Sequence, residues 1–145
     1  MSLPSIAAAF PDGNLRVAVL LVGGPFRSGQ HLRGDVRRRD PACYHGSVSA
    51  QREASLSVVH RIIWPLQALK ARIDVLFTLP TACATTAASP LIAQLRSWLA
   101  PYVVAERVVN SRGIGQSLQR AYSLLHDHMR AHGRMYDFVF HVRHD

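Results

Sequence analysis

Two hydrophobic patterns alternate along the chain. Four runs are apolar nearly throughout and have the length of strands: 15–22, 74–79, 102–109 and 136–142. Between them lie three segments with apolar residues at helical spacing: 48–70, 89–100 and 115–132. The order β-α-β-α-β-α-β predicts an α/β domain with a Rossmann-like parallel sheet of about four strands and helices on both faces. We expect this domain to span residues 15–145, after an N-terminal tail over residues 1–14.

Proline and glycine residues refine the predicted helix boundaries. Pro65 lies inside the first helical pattern, which predicts a kink or break at Trp64-Pro65. Ser89 is expected to be the N-cap of the second helix, followed by Pro90 at its first position. Gly133 follows the third helical pattern and is expected to form its C-cap.

The ends of the first and fourth strands are the predicted ligand site. In the strand order 3-2-1-4, these two strands lie side by side where the direction of sheet winding reverses. Ligands of such sheets bind in the crevice at the carboxyl ends of the strands. The segments Gly23–Arg27 and Arg143–Asp145 would then face one crevice, although they are far apart in sequence.

The residue types at this crevice suit a phosphate group and a metal ion. Gly23 and Gly24 would expose main-chain N–H groups to a phosphate, and Arg27 could pair with an anionic oxygen. Arg143 lies on the same strand face as His141, and Asp145 is an oxygen donor of the kind that Mg²⁺ or Mn²⁺ prefers. A tight turn and an ordinary polar strand end remain alternative interpretations of these two segments.

Composition excludes several functional classes. The net charge is +8, but sixteen of the seventeen basic residues are Arg, most of them spread along the chain, with one cluster at 33–40 that includes two Asp. No aromatic residues are interleaved with that cluster, so we expect a solvated loop or an anion contact rather than nucleic-acid binding. No apolar run approaches the roughly 20 residues of a membrane span, and no signal peptide is expected, which favours a soluble protein.

The cysteine and histidine residues do not predict a metal or disulfide site. Cys43 and Cys83 are the only cysteines, and we expect ordinary buried or loop thiols. His128 and His132 have helical i,i+4 spacing without the acidic residue of a zinc-protease motif, which predicts solvent-facing side chains. Asp74 and Asp137 begin strands, where a capping or turn role is expected.

Two segments resemble nucleotide-sugar glycosyltransferase-like proteins of the GT-A type. The first is Val17–Arg27, a hydrophobic strand ending near a Gly-x-x-Arg pattern. The second is Tyr136–Asp145, with Gln116, Arg120 and Tyr122 in the preceding helix. The second resembles a "YD-hydrophobic-Arg-x-Arg-x-Asp" strand, although a His stands at 141 where an Arg is frequent.

The resemblance implies transfer of a sugar from a nucleotide-sugar donor to an unknown acceptor. It makes Asp145 the metal- or donor-binding residue, Arg143 its partner and Gly23–Arg27 the nucleotide-side loop. We expect an N-terminal, donor-binding portion of a GT-A-like domain, without the acceptor-binding half or a catalytic base. The resemblance is compatible with a location in the secretory pathway.

Two other functions stay open. The segment Val22–Gly29 loosely resembles the Gly-x-x-Arg-Ser-Gly phosphate loop of sulfotransferases, which would require a helix starting at about Ser28. A non-enzymatic, basic α/β binding module is the other alternative, and a Gly23–Arg27 crevice filled by side chains would favour it.

Overall fold

The computed structural model describes residues 15–26, 43, 48–110 and 113–144. Its strands are β1 (Arg16–Val22), β2 (Arg72–Pro80), β3 (Val103–Val109) and β4 (Phe138–Arg143). Its α-helices are α1 (Val48–Val58), α2 (Trp64–Ala68), α3 (Ser89–Leu99) and α4 (Gly113–His132). A π-helical segment, Val59–Ile63, joins α1 to α2, and a 3₁₀ turn, Thr81–Cys83, follows β2.

The four strands form one parallel sheet in the order β3-β2-β1-β4. The predicted α/β class, strand number and strand order are confirmed. β1 is a central strand with an apolar residue at every position after Arg16, and its six apolar residues are buried. The continuous apolar pattern arises because helices cover both faces of the sheet.

Alternate residues of β1 belong to two separate hydrophobic clusters. Val17, Val19 and Leu21 pack on the side that contains α1 and α3. The intervening residues, Ala18, Leu20 and Val22, pack against Ala121, Leu124 and Leu125 of α4. Because successive side chains of a strand point to opposite faces, residues of β4 divide in the same way.

The predicted interruption at Pro65 takes the form of a π-helical segment. The pattern predicted one helix over 48–70 with a kink at Trp64-Pro65, and the π segment ends directly before Trp64. Proline has no N–H to donate and its ring clashes with the preceding turn, so the backbone widens one turn earlier. The buried face of α1 includes two polar residues, Gln51 and Ser55, whereas Leu56 is only half-buried.

The ends of α3 and α4 test the predicted caps. Ser89 is the first residue of α3 rather than its cap; Ala88 is the N-cap residue, and its N–H donates to Thr85 Oγ1 at 3.2 Å. The prediction for Ser89 is therefore wrong by one residue, and no side chain caps the helix: the Ser89 N–H donates to the Thr86 carbonyl at 3.3 Å instead. Gly133 follows α4 with a φ of 60°, as expected of a C-cap glycine.

Cys43 and Cys83 form a disulfide, which corrects the prediction of ordinary thiols. Their separation of 40 residues carries no local signal, and only the fold brings the chain before α1 next to the end of β2. None of the described helices is long and apolar enough to span a membrane.

Candidate functional site

The carboxyl ends of β1 and β4 lie side by side. Val22 pairs with Arg143 in the parallel register, and the His144 N–H donates to the Val22 carbonyl at 2.9 Å. This pairing brings Gly23 and Gly24 beside Arg143. The other two predicted site residues, Arg27 and Asp145, lie outside the described residues, and so does Ser28.

The turn after β1 depends on a glycine at its first position. Gly23 has a φ of 101°, and a Cβ built there would meet no atom within 4 Å. The backbone conformation, rather than lack of space, therefore requires glycine. Three residues later Phe26 also has a positive φ, 56°, and its side chain is fully buried. This unusual backbone conformation points the Phe26 side chain into the core.

Gln51 of α1 connects the turn after β1 to the end of β4. Its Oε1 accepts the Phe26 N–H at 2.9 Å, and its Nε2 donates to the His144 carbonyl at 3.0 Å. The same Nε2 lies 3.3 Å from Ser55 Oγ. Gln51 is only 4% exposed, so these bonds are shielded from water and fix the two segments relative to each other.

Side chains fill this crevice on the α1 side of the sheet. The Phe26 ring lies 6.1 Å from the Trp98 ring of α3, centroid to centroid. The His144 ring is 2% exposed and meets the Phe77 ring of β2 edge-on at 5.8 Å. Together with Gln51, these side chains leave the described part of the crevice packed on that side.

The α4 side of the same strand ends is polar and exposed. Arg143 is exposed and lies on the same face of β4 as His141, as the sequence predicted. His141 Nδ1 lies 3.3 Å from the Tyr122 hydroxyl of α4.

A cavity of about 340 Å³ lies at the neighbouring ends of β2 and β3. Its lining includes the hydroxyls of Thr85, Thr86 and Ser89 and an ion pair between Arg96 and Glu106. Arg96 Nε donates to Glu106 Oε2 at 2.7 Å, and this hydrogen bond raises the pKa of Arg96 above its usual value. Because Glu106 already neutralises much of the positive charge of Arg96, this residue attracts an anionic ligand less strongly than an unpaired Arg would.

A second, smaller cavity of about 240 Å³ lies between the end of β3 and α4. Arg107, Asn110, Arg120 and Ser123 contribute its polar lining. Arg107 is paired with Asp127 at 2.9 Å. Arg120, which belongs to the segment that resembles glycosyltransferases, therefore faces a polar cavity on the α4 side of the sheet.

Near the amino ends of β2 and β4, opposite the candidate site, lies a polar cluster that the sequence did not predict. Asp74 Oδ2 accepts the Tyr136 hydroxyl at 2.6 Å and Arg134 Nη1 at 3.2 Å. Burial and the bond to Asp74 raise the pKa of Tyr136 well above its usual value. Asp137 Oδ2 accepts the Arg16 N–H at 2.8 Å at the start of β1, which agrees with the predicted capping role, whereas Asp74 lies inside β2 and binds side chains rather than capping a strand or turn.

His128 belongs to this cluster and is buried, which corrects the prediction of a solvent-facing side chain. It is 9% exposed, whereas His132 is exposed, and the two rings lie 4.4 Å apart. Burial, and then the neighbouring His132, lower the pKa of His128. The i,i+4 spacing predicted one shared helix face but not that this face turns partly toward the sheet.

Gln51 was not among the predicted site residues, although its position in the helical pattern carried a signal. Gln51 and Ser55 continue the four-residue spacing of Val59 and Ile63 toward the start of the helix. Two polar residues on an otherwise buried stripe indicate a buried hydrogen-bonded contact.

Among the described residues, no group of three or more His, Cys, Asp or Glu side chains is arranged to hold a metal ion. The metal predicted at Asp145 concerns a residue outside that part of the chain. Comparison with known proteins gives no match: no family model matches the chain, and no curated protein or solved structure is significantly similar to it.

Proposed function

We propose that this chain is a glycosyltransferase-like domain that binds the diphosphate of a nucleotide-sugar donor at the ends of β1 and β4. The observation that supports the proposal is the pairing of Val22 with Arg143, because Val22 directly precedes Gly23 and Gly24 and Arg143 is an exposed residue of β4. Strand ends at the point where a parallel sheet reverses its winding are a recurrent ligand site.

The α4 side of these strand ends is the proposed diphosphate site. The α1 side is packed with Gln51, Phe26 and His144, so the ligand would lie against the face that carries Arg143. Main-chain N–H groups of Gly23 and Gly24 would donate to phosphate oxygens, and Arg143 would stabilise the charge of the leaving diphosphate.

Arg27 and Asp145 complete the proposed site. Arg27 would contact an anionic oxygen, and Asp145 would hold Mn²⁺ or Mg²⁺ against the diphosphate, where the metal supplies further charge neutralisation. The proposal assigns the metal to Asp145 and the phosphate oxygens, because the described residues offer no three-ligand group.

The Cys43–Cys83 disulfide supports a location in an oxidising compartment. Disulfides persist in the secretory pathway and outside the cell, and they are rare in the cytosol. We therefore place the proposed sugar transfer in the secretory pathway.

A non-enzymatic binding module for an acidic partner is the second candidate. The packed α1 side of the crevice favours it, because the buried side chains of Gln51, Phe26 and His144 fill space that would otherwise be open to a nucleotide. The net charge of +8 fits an acidic partner.

Titration calorimetry of UDP and GDP, with and without Mn²⁺, tests the first proposal. Binding should require a divalent cation, Mn²⁺ or Mg²⁺, and be lost in Asp145→Ala. Arg143→Ala should weaken it about 10- to 100-fold, since a charged hydrogen bond contributes about 1.5–3 kcal/mol. Arg130→Ala, which removes an exposed Arg elsewhere on α4, is the matched control and should change the affinity less than about twofold. A folded chain that binds neither nucleotide would favour the second candidate.

A further inference from the structure

His128 and His132 form a compact pair of imidazoles at the end of α4. They are one helical turn apart, and their ring centroids are separated by 4.4 Å. His128 is nine-tenths buried against the sheet, and its Nε2 is buried without a hydrogen-bond partner. A buried ring nitrogen without a partner needs an explanation, since buried polar atoms are normally satisfied.

The surroundings of this pair suit a cation. Asp74 is close enough for its charge to act on His128, and α4 ends at His132, where the helix dipole is negative. Arg134 opposes a cation at this position, but it is paired with Asp74.

We propose that His128 and His132 form a two-imidazole site for a borderline divalent transition metal ion such as Zn²⁺, Ni²⁺ or Cu²⁺. Imidazole nitrogens favour these ions over Mg²⁺ or Mn²⁺, so the site differs in chemistry from the one proposed at Asp145. Water completes the coordination on the exposed His132 side. The two cysteines do not compete for the metal, because they are joined in the disulfide.

Metal titrations of the oxidised chain test this site directly. Calorimetry with ZnCl₂ or NiCl₂ should show one saturable event that is lost in His132→Ala, a variant of an exposed residue that should fold normally. Metal at 100 times its Kd should raise the Tm of the intact chain by about 5–10 °C. His126→Ala, which removes an exposed His on the same helix, is the control and should keep both effects.

A spectroscopic readout separates ligation from a purely structural effect. Cu²⁺ bound to the intact chain should show nitrogen hyperfine coupling in its EPR spectrum, and this coupling should weaken in His132→Ala but not in His126→Ala. Equal affinity and equal spectra in the intact chain and His132→Ala would overturn the proposal. Absence of saturable binding up to millimolar metal would overturn it as well.

Discussion

Gln51 is the residue on which the geometry of the candidate site depends most. Its amide group satisfies a main-chain N–H of the turn after β1 and a main-chain carbonyl at the end of β4. Both main-chain groups would otherwise be buried without a partner, which costs about 1–3 kcal/mol for each group. One side chain therefore holds two segments that are distant in sequence.

Replacing Gln51 with Leu should lower the free energy of unfolding by about 2–4 kcal/mol, because an apolar side chain leaves the Phe26 N–H and the His144 carbonyl unpaired. Urea unfolding followed by circular dichroism measures the change. Arg52→Ala is the control, since Arg52 is the exposed neighbour on α1 and should change stability by less than about 0.5 kcal/mol. A Gln51→Leu variant as stable as the control would show that water replaces the amide.

Tyr136→Phe should destabilise the fold by about 1–2 kcal/mol, because it removes the hydroxyl that donates to the Asp74 carboxylate at 2.6 Å. Tyr122→Phe provides a matched comparison: it deletes an exposed hydroxyl with a longer contact of 3.3 Å to His141 and should cost less than about 0.5 kcal/mol. Thermal unfolding of the two variants in parallel gives the difference. If Tyr136→Phe destabilised the fold no more than Tyr122→Phe, the hydrogen bond between Tyr136 and Asp74 would make no net contribution to stability beyond that of an exposed hydroxyl.

At the scale of elements, turn chemistry explains where the helices begin, widen and end. The π-helical segment lies directly before Trp64-Pro65, where the missing proline N–H was expected to interrupt the helix. Gly133 ends α4 with a left-handed conformation. The sequence identified both positions because Pro and Gly act through their own backbone geometry. It did not identify which residues of α1 are buried, since that depends on tertiary contacts with Phe26 and His144.

Gly115 inside α4 and Gly133 directly after it should respond to substitution by Ala with opposite changes in stability. Gly133→Ala forces a side chain into a φ of 60° and should destabilise the fold by about 1 kcal/mol. Gly115 lies inside the helix, and a Cβ added there would meet no atom within 4 Å. Gly115→Ala should therefore stabilise the fold by about 0.5 kcal/mol. Chemical unfolding of each variant measures the sign. Stabilisation by Gly133→Ala would contradict the C-cap assignment.

For the molecule as a whole, the sequence predicted the α/β class and the parallel sheet, but it did not predict the disulfide. Continuous apolar runs and three helical patterns predict a parallel sheet, because parallel strands need crossovers and both faces need cover; the order β3-β2-β1-β4 agrees with the doubly wound order considered for such a sheet. The Cys43–Cys83 disulfide and the burial of His128 depend on which segments meet in space, and nothing local in the sequence encodes that. Of the candidate site, the adjacency of β1 and β4 was predictable, whereas the two main-chain groups that Gln51 binds were not.

Reduction of the disulfide should lower the free energy of unfolding by about 2–4 kcal/mol, since a closed loop of 40 residues restricts the unfolded chain. Urea unfolding with and without dithiothreitol measures this difference. The double variant Cys43→Ser, Cys83→Ser should already have the lower stability and should not respond to the reductant. An intact chain that unfolds identically under both conditions would contradict the cross-link.

The most direct test of the central claim is to map nucleotide binding on the ¹⁵N-labelled chain by NMR, with UDP in Mg²⁺ buffer. Amide signals of Gly23, Gly24 and Arg143 should shift on addition of UDP, while signals near His132 should not. The 20 residues of α4 place these two ends of the molecule about 30 Å apart. Shifts confined to another surface, such as the cavity beside Arg96, or no shifts at millimolar UDP, would contradict a donor site at the ends of β1 and β4.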